Sequence, residues 1–283
     1  MGDDSSSPLT DQDAKSSQYE LMEPSPKCVK GIEIITRSKE GWDVGFTHLD
    51  YFDLQTGAID SECARRAVEL IPAGQPNLFG LLHNLGVSLQ CRFECTDALS
   101  DLTESITAIR RAIELTPAGH PDLSRMLSNL ASSLGRRFER TDALTDLSES
   151  ISAACRAVEL TPAGHPDLPD WLSNLGDLLC RRFEHTGALP DLAETITAIR
   201  RAVELTPAGH PDLPGRLNHL GVSLRRRFER TDVLSDIAES ITATRRAVEL
   251  TPAGHPDLSR MLSNLASSLG RRFERTDALT GPF

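Results

Sequence analysis

Thr116-Pro117-Ala118-Gly119-His120-Pro121-Asp122-Leu123 returns unchanged at 161–168, 206–213 and 251–258. A worn version, Ile-Pro-Ala-Gly-Gln-Pro-Asn-Leu, stands at 71–78. Just before each copy lies a second marker: Ala67-Val68-Glu69-Leu70, Ala112-Ile113-Glu114-Leu115, Ala157-Val158-Glu159-Leu160, and the same four residues from Ala202 and from Ala247. Both markers keep a period of 45 residues without insertion, and residues 114–145 and 249–280 are identical over 32 positions. A strict period of this length means stacked copies of one supersecondary unit, each burying its apolar face against its neighbours.

Each period reads as two helices. In the second copy Leu123, Met126, Leu127, Leu130, Leu134 and Phe138 step by three and four, the spacing of one helical face. Ser128, Ser132, Arg136 and Arg140 fall off that face. Pro121-Asp122 opens this helix, with Asp122 as its expected cap, over about 122–140. Thr141-Asp142 offers a fresh cap for a second helix over about 143–160, whose apolar line is Leu144, Leu147, Ile151, Ala154, Ala157 and Val158. Pro162 and Gly164 end it, Pro because it breaks the hydrogen-bond ladder and Gly because it suits a left-handed terminal turn. Pro190 in the third copy falls in a first helical turn, where a missing N–H costs little. Two columns stay small: Gly86, Ala131, Gly176, Gly221 and Ala266, and Ala112, Ala157, Ala202 and Ala247. They mark close helix approach.

The pattern resembles the tetratricopeptide repeat, which pairs two helices around small residues and closes each unit with Pro. Leu217-Asn218-His219-Leu220-Gly221 is similar to its first-helix box, and Ala247-Val248-Glu249-Leu250-Thr251-Pro252 to its second-helix ending. The period exceeds the family's usual 34 residues by 11. Seven of the extra residues fall between the Gly221 column and the second helix, and four in the Ala-Gly-His-Pro linker. Extended repeats of this kind resemble arrays that flank caspase-like CHAT or nucleotide-binding modules in large, often fungal, proteins. The resemblance covers about 58–283 and implies an all-α solenoid: antiparallel helix pairs winding into a right-handed superhelix, ten helices over about 58–276.

The chain has 283 residues and a formal charge of -11. That acidity argues against nucleic acid or an anionic membrane as partner. Residues 1–60 carry 12 acids and 5 bases, whereas every base after Lys39 in the repeats is Arg. Residues 1–27 read as a disordered, acidic, Ser/Pro-rich tail. Residues 28–57 contain Ile32, Ile34, Ile35, Trp42, Phe46 and Tyr51 but no period, and read as an irregular N-terminal segment. The array over 58–283 then comprises a half unit, four pairs and one unpaired terminal first helix, about 257–275. The start Met1-Gly2-Asp3-Asp4-Ser5 is the reverse of a secretory leader, and no apolar run nears the roughly 20 residues of a membrane helix. A cytoplasmic protein is expected.

No catalytic, metal or cofactor pattern is found. GxxxxGK[ST], GxGxxG, HExxH and GxSxG are absent. His120, His165, His210 and His255 recur once per unit, about 10 Å apart in a stack of helix pairs. Zinc ligands lie about 2 Å from one metal, so these imidazoles read as local linker caps. Cys91, Cys95 and Cys155 stand where sister copies carry Arg136, Arg140 and Arg110, and codon drift accounts for them. The chain is expected to be no enzyme.

Candidate binding residues lie on the first helices. Arg136, Arg181, Arg226 and Arg271 each begin an Arg pair. With the acids at the start of each second helix (Asp101/Glu104, Asp146/Glu149, Asp191/Glu194, Asp236/Glu239) they make either an inter-helix ladder or a basic stripe for an acidic peptide. In the family that this sequence resembles, ligands lie along the inner face of first helices. Box by box, that face carries Ser128/Ser132, Ser173/Asp177, Asn218/Val222 and Ser263/Ser267. Beside it runs a column of Asn84, Asn129, Asn174, His219 and Asn264, which either meets a ligand or bonds neighbouring backbone. The Lys/Asn pair of the family's chaperone-tail clamp is missing. The resemblance implies a non-catalytic protein–protein interaction scaffold, with a regulatory fragment of a larger CHAT-protease-like or nucleotidase protein as the alternative. Partners are expected to be protein or peptide. Because the terminal first helix repeats an internal one, its apolar face implies either a longer array or self-association through 257–275.

Overall fold

The computed structural model describes residues 36–38, 41–43, 61–72 and 75–280. A short antiparallel hairpin, β1 (Thr36–Ser38) with β2 (Gly41–Asp43), pairs Arg37 with Trp42. The remainder of the segments 1–27 and 28–57 lies outside the described residues.

Ten helices follow among the described residues. Second-type helices are α1 (Ser61–Leu70), α3 (Leu99–Leu115), α5 (Leu144–Leu160), α7 (Leu189–Leu205) and α9 (Leu234–Leu250). First-type helices are α2 (Leu78–Thr96), α4 (Leu123–Thr141), α6 (Leu168–Thr186), α8 (Leu213–Thr231) and α10 (Leu258–Thr280). The first helices α2, α4, α6 and α8 each pack on the second helix that follows, and each second helix packs on the next first helix. The result is an α-solenoid of helix pairs in which contacts run between neighbours. Apolar spacing explains the pairing: Met126, Leu127, Leu134 and Phe138 of α4 and Leu147, Ala154 and Ala157 of α5 are all buried in one cluster.

The small column works as a co-adjusted pair. A Cβ on Gly86 would lie 2.3 Å from Ile109, one on Gly176 2.5 Å from Ile199, and one on Gly221 2.4 Å from Thr244. In the unit whose first helix carries Ala131 instead, the facing residue is Ala154. Three crossings therefore set a bare Gly against a branched side chain, and the fourth shares the space as one methyl group on each side. The crossing is also tied by a hydroxyl. Ser105 donates to the Gly86 carbonyl at 2.7 Å, Ser150 to Ala131 at 2.6 Å, Thr195 to Gly176 at 3.3 Å and Ser240 to Gly221 at 2.7 Å.

The helix ends depart from the sequence expectation in two places. Asp122 makes no side-chain cap bond. Its amide instead donates to Nδ1 of His120 at 3.2 Å, and the amides of Asp167, Asp212 and Asp257 donate likewise to His165, His210 and His255 in the later units. The linker His thus holds the turn before α4, α6, α8 and α10, as expected. Asp142 does not cap α5 either. It closes α4 in the left-handed conformation, φ 54°, with its amide donating to the Phe138 carbonyl at 2.8 Å. The sister position is Gly187, for which that conformation carries no steric cost. Gly164, at φ 89°, lies in the linker turn, while the end of α5 is held by the Thr161 hydroxyl on the Ala157 carbonyl at 2.6 Å.

Candidate partner-binding groove

Each Arg pair splits between two tasks, because adjacent residues point about 100° apart on a helix. The second member reaches across its own pair. Arg137, Arg182 and Arg227, and Arg92 in the same column after Cys91, make bidentate contacts with Asp146, Asp191, Asp236 and Asp101, whose carboxylates are buried. Arg92 holds the Asp101 carboxyl below its ordinary range. The first member reaches back to the preceding first helix: Arg136 to Glu94 at 2.6 Å, Arg181 to Glu139 at 2.5 Å, Arg226 to Glu184 at 2.6 Å and Arg271 to Glu229 at 3.0 Å. Those partners belong to the first helices, not to the second-helix acids named from sequence. A third ladder joins second helices, with Arg65 on Glu104, Arg110 on Glu149 and Arg200 on Glu239.

This arrangement gives a physical account of two cysteines. Arg136 and Arg140 bond Glu94 and Asp97 of the first helix before them. Cys91 and Cys95 occupy those positions in α2, and no first helix precedes α2 among the described residues.

The polar column bonds neighbouring side chains rather than backbone, by two kinds of step. Asn129 meets Nε2 of His83 at 2.8 Å, and Asn264 donates to Oδ1 of Asn218 at 3.0 Å. Asn174 donates to Ser132 at 3.3 Å, and His219 Nδ1 lies 3.1 Å from the Asp177 carboxylate. Burial pushes His83 down to about 4. His219 is also held below its ordinary value, chiefly by burial, with Asp177 pulling the other way. The Asp177 side chain is 59% exposed but sits inside the concavity, where crowding protein atoms raise its pKa against the pull of His219. Ser128 and Asn218, assigned from sequence to the open inner face, are 7% and 3% exposed.

Along α6, α8 and α10 the first helices enclose an open groove of about 1270 Å³. Ser132, Asn174, Asp177, Asn218, His219, Asn264 and Arg226 line it, beside the linker residues His210 and His255. Arg136 and Arg181 line a smaller recess of about 490 Å³ with Phe93 and Arg140, while Asn84, Asn129 and Arg271 line neither. The groove also contains residues that the repeat pattern passes over. Arg216, only 7% exposed, bonds Asp170 of α6 and the Thr206 hydroxyl. Arg225 pairs with Glu229 at 2.6 Å, and its Nε is buried without a partner. The Arg216 column holds Leu, Met or Trp elsewhere and the Arg225 column Gln, Gly or Cys, so periodicity gives no signal for them.

Stacked antiparallel pairs with a polar first-helix groove define a helical-repeat protein. Residues 80–122, 123–167 and 170–212 match the tetratricopeptide repeat family. Those three repeats match that family in a 45-residue form. Repeats of this family generally bind proteins and carry no catalysis. Among solved structures, the chain resembles the nearly identical TPR-like repeats of a Podosopora anserina kinesin light chain. That match has 14% identity and a TM-score of 0.51, over 73% of this chain and 94% of that one. It also resembles BtubC (BKLC) from P. vanneervenii, at 16% identity and a TM-score of 0.51, over 79% of this chain and 89% of the other. At this identity the likeness is one of fold. No curated protein matches the chain in sequence. Among the described residues no helix is long and apolar enough to cross a membrane.

Proposed function

We propose that the chain is a non-catalytic scaffold that binds an extended peptide of a partner protein along the groove of α6, α8 and α10. The observation that carries this reading is the groove itself, about 1270 Å³ and bordered by charges of both signs. The Arg136, Arg181, Arg226 and Arg271 column is engaged with Glu residues of neighbouring helices, so a purely acidic ligand would have to displace those contacts. Asp177 is the exposed acid at the centre, and it selects for a basic residue on the peptide. Selection of a displayed random-peptide library on the full chain tests this. Enriched peptides should carry Lys or Arg, and Asp177→Arg should abolish their binding without changing helicity. Peptides that bind the variant as well as the parent would overturn the reading.

A further inference from the structure

Near the end of the first helices the chain repeats a small constellation. Arg140 of α4 lies over the Phe93 ring of α2, 5.8 Å from its centre, and bonds the carboxylate of Asp97, just past α2, at 2.6 Å. Arg275 of α10 bonds Asp232, just past α8, at 3.0 Å. The same step along the sequence joins Arg230 of α8 to position 187, just past α6, and there the residue is Gly. Arg230 nevertheless keeps the sister position: its guanidinium lies 5.7 Å from the centre of the Phe183 ring. It is exposed and has no carboxylate partner among the described residues. A Cβ on Gly187 would meet no atom within 4 Å, so the space that Asp97 and Asp232 fill in their own units is open here. The cation is therefore held in place by the ring, through cation–π attraction, and not by an acid.

The seat faces the binding side of the array. Phe93, Asp97 and Arg140 line the same recess as Asp177, and Phe183, Gly187 and Arg230 are their sisters two units on. Phe183 and Gly187 follow Asp177 by six and ten residues. At 1.5 Å per residue that is about 9–15 Å along α6. An extended peptide covers it in about three to five residues. The charges in between are already matched, since Arg226 holds Glu184 at 2.6 Å.

We propose that Arg230, over Phe183 and beside Gly187, is a carboxylate seat for an Asp or Glu side chain of the bound peptide. The peptide's acid takes the place of the Asp that sister units supply themselves, which is why a carboxylate fits. The proposal rests on the groove reading above and sharpens it. The ligand carries charges of both signs: a basic residue at Asp177 and, about three to five positions away, an acidic one at Arg230.

The test selects a displayed random-peptide library on the full chain and on its Gly187→Asp variant. Asp97, Asp142 and Asp232 already adopt the left-handed conformation at this position, so the variant closes the seat from within while its circular dichroism matches the parent. On the parent, enriched peptides should pair a Lys or Arg with an Asp or Glu about three to five positions away. On the variant the base should persist and the acid preference disappear. Changing the acid of one selected peptide to Gln should weaken binding to the parent about threefold to fivefold, the upper range of an exposed ion pair, and leave binding to the variant unchanged. Arg230→Glu should also weaken that peptide, and a peptide with Lys in place of the acid should regain affinity for the Arg230→Glu chain. Enrichment of bases without the acid would overturn this proposal and leave the groove reading standing. Acid enrichment that persists on Gly187→Asp would overturn it too. Peptides that lose affinity on Gly187→Asp but bind Asp177→Arg as well as the parent would uphold the seat and sink the groove reading at Asp177. Enrichment of neither charge would overturn both.

Discussion

Replacing Gly176 by Ala places a methyl group 2.5 and 2.7 Å from Cδ1 and Cγ1 of Ile199, while the nearest backbone atom, the Thr195 carbonyl oxygen, stays 3.7 Å away. Ile199 is wholly buried, so its branched side chain has no free direction in which to retreat. Overpacking of this kind costs about 1–3 kcal/mol, against a helix-propensity gain of about 0.5–1 kcal/mol for removing a mid-helix Gly. Ile199→Ala alone empties a core site and costs about 2–5 kcal/mol. The double variant recreates the Ala131/Ala154 crossing that the chain already uses one unit earlier, so the clash disappears and the added methyl fills part of the void. The two costs should fall short of additivity by about 1–3 kcal/mol. Urea melts followed by circular dichroism on parent, both singles and the double give the cycle, with hydrogen exchange in α6 and α7 to localise the change, since a repeat array need not melt in one step. Additive costs within about 0.5 kcal/mol would refute the view that the two sides of this crossing share one space.

Arg137→Ala leaves the buried Asp146 carboxylate without its bidentate partner and should cost about 3 kcal/mol. Arg136→Ala, next in sequence but paired to Glu94 in the open, should cost at most about 1 kcal/mol, and comparable losses in denaturant melts would contradict the split. His83 is held neutral by burial, at about 4 in the folded chain, against about 6.5 unfolded. A depressed folded value means stability is intact above pH 6.5 and falls as pH drops from 6.5 to 4, by about 3 kcal/mol in all. His83→Gln should flatten that part of the stability–pH curve. Phe138→Ala should cost about 3–5 kcal/mol, the usual range for a buried Phe. Phe273→Ala, in identical local sequence but 65% exposed, should cost about 1 kcal/mol or less; equal costs would mean that α10 is covered in solution.

The architecture was legible because it is written five times over. The Leu123–Phe138 stripe and the Leu147–Val158 stripe each repeat at helical spacing, and Pro and Gly punctuate them at fixed offsets, so helix boundaries came within a residue or two of α4 and α5. The small columns were legible for the same reason, though not the compensation between Gly176 and Ile199, which needs the crossing point. The pairing of Arg136 and Arg137 was hidden. Two adjacent Arg residues look alike in sequence, and only helix phase sends one to Glu94 and the other to Asp146. The left-handed Asp142 was misread as a cap because Thr-Asp before a helix is a common start signal, while its own φ is set by the end of α4. Ser128 and Asn218 were placed on the open face by analogy with shorter repeats, and packing between units buries both.

Hydrogen exchange of the full chain, with and without a peptide selected on it, is the most direct measurement of where a partner lies. Slowed exchange on α6, α8 and α10, with α7 and α9 unchanged, is expected if the first-helix groove is the binding face. Slowed exchange on α5, α7 or α9, with α6 and α8 unaffected, would contradict it.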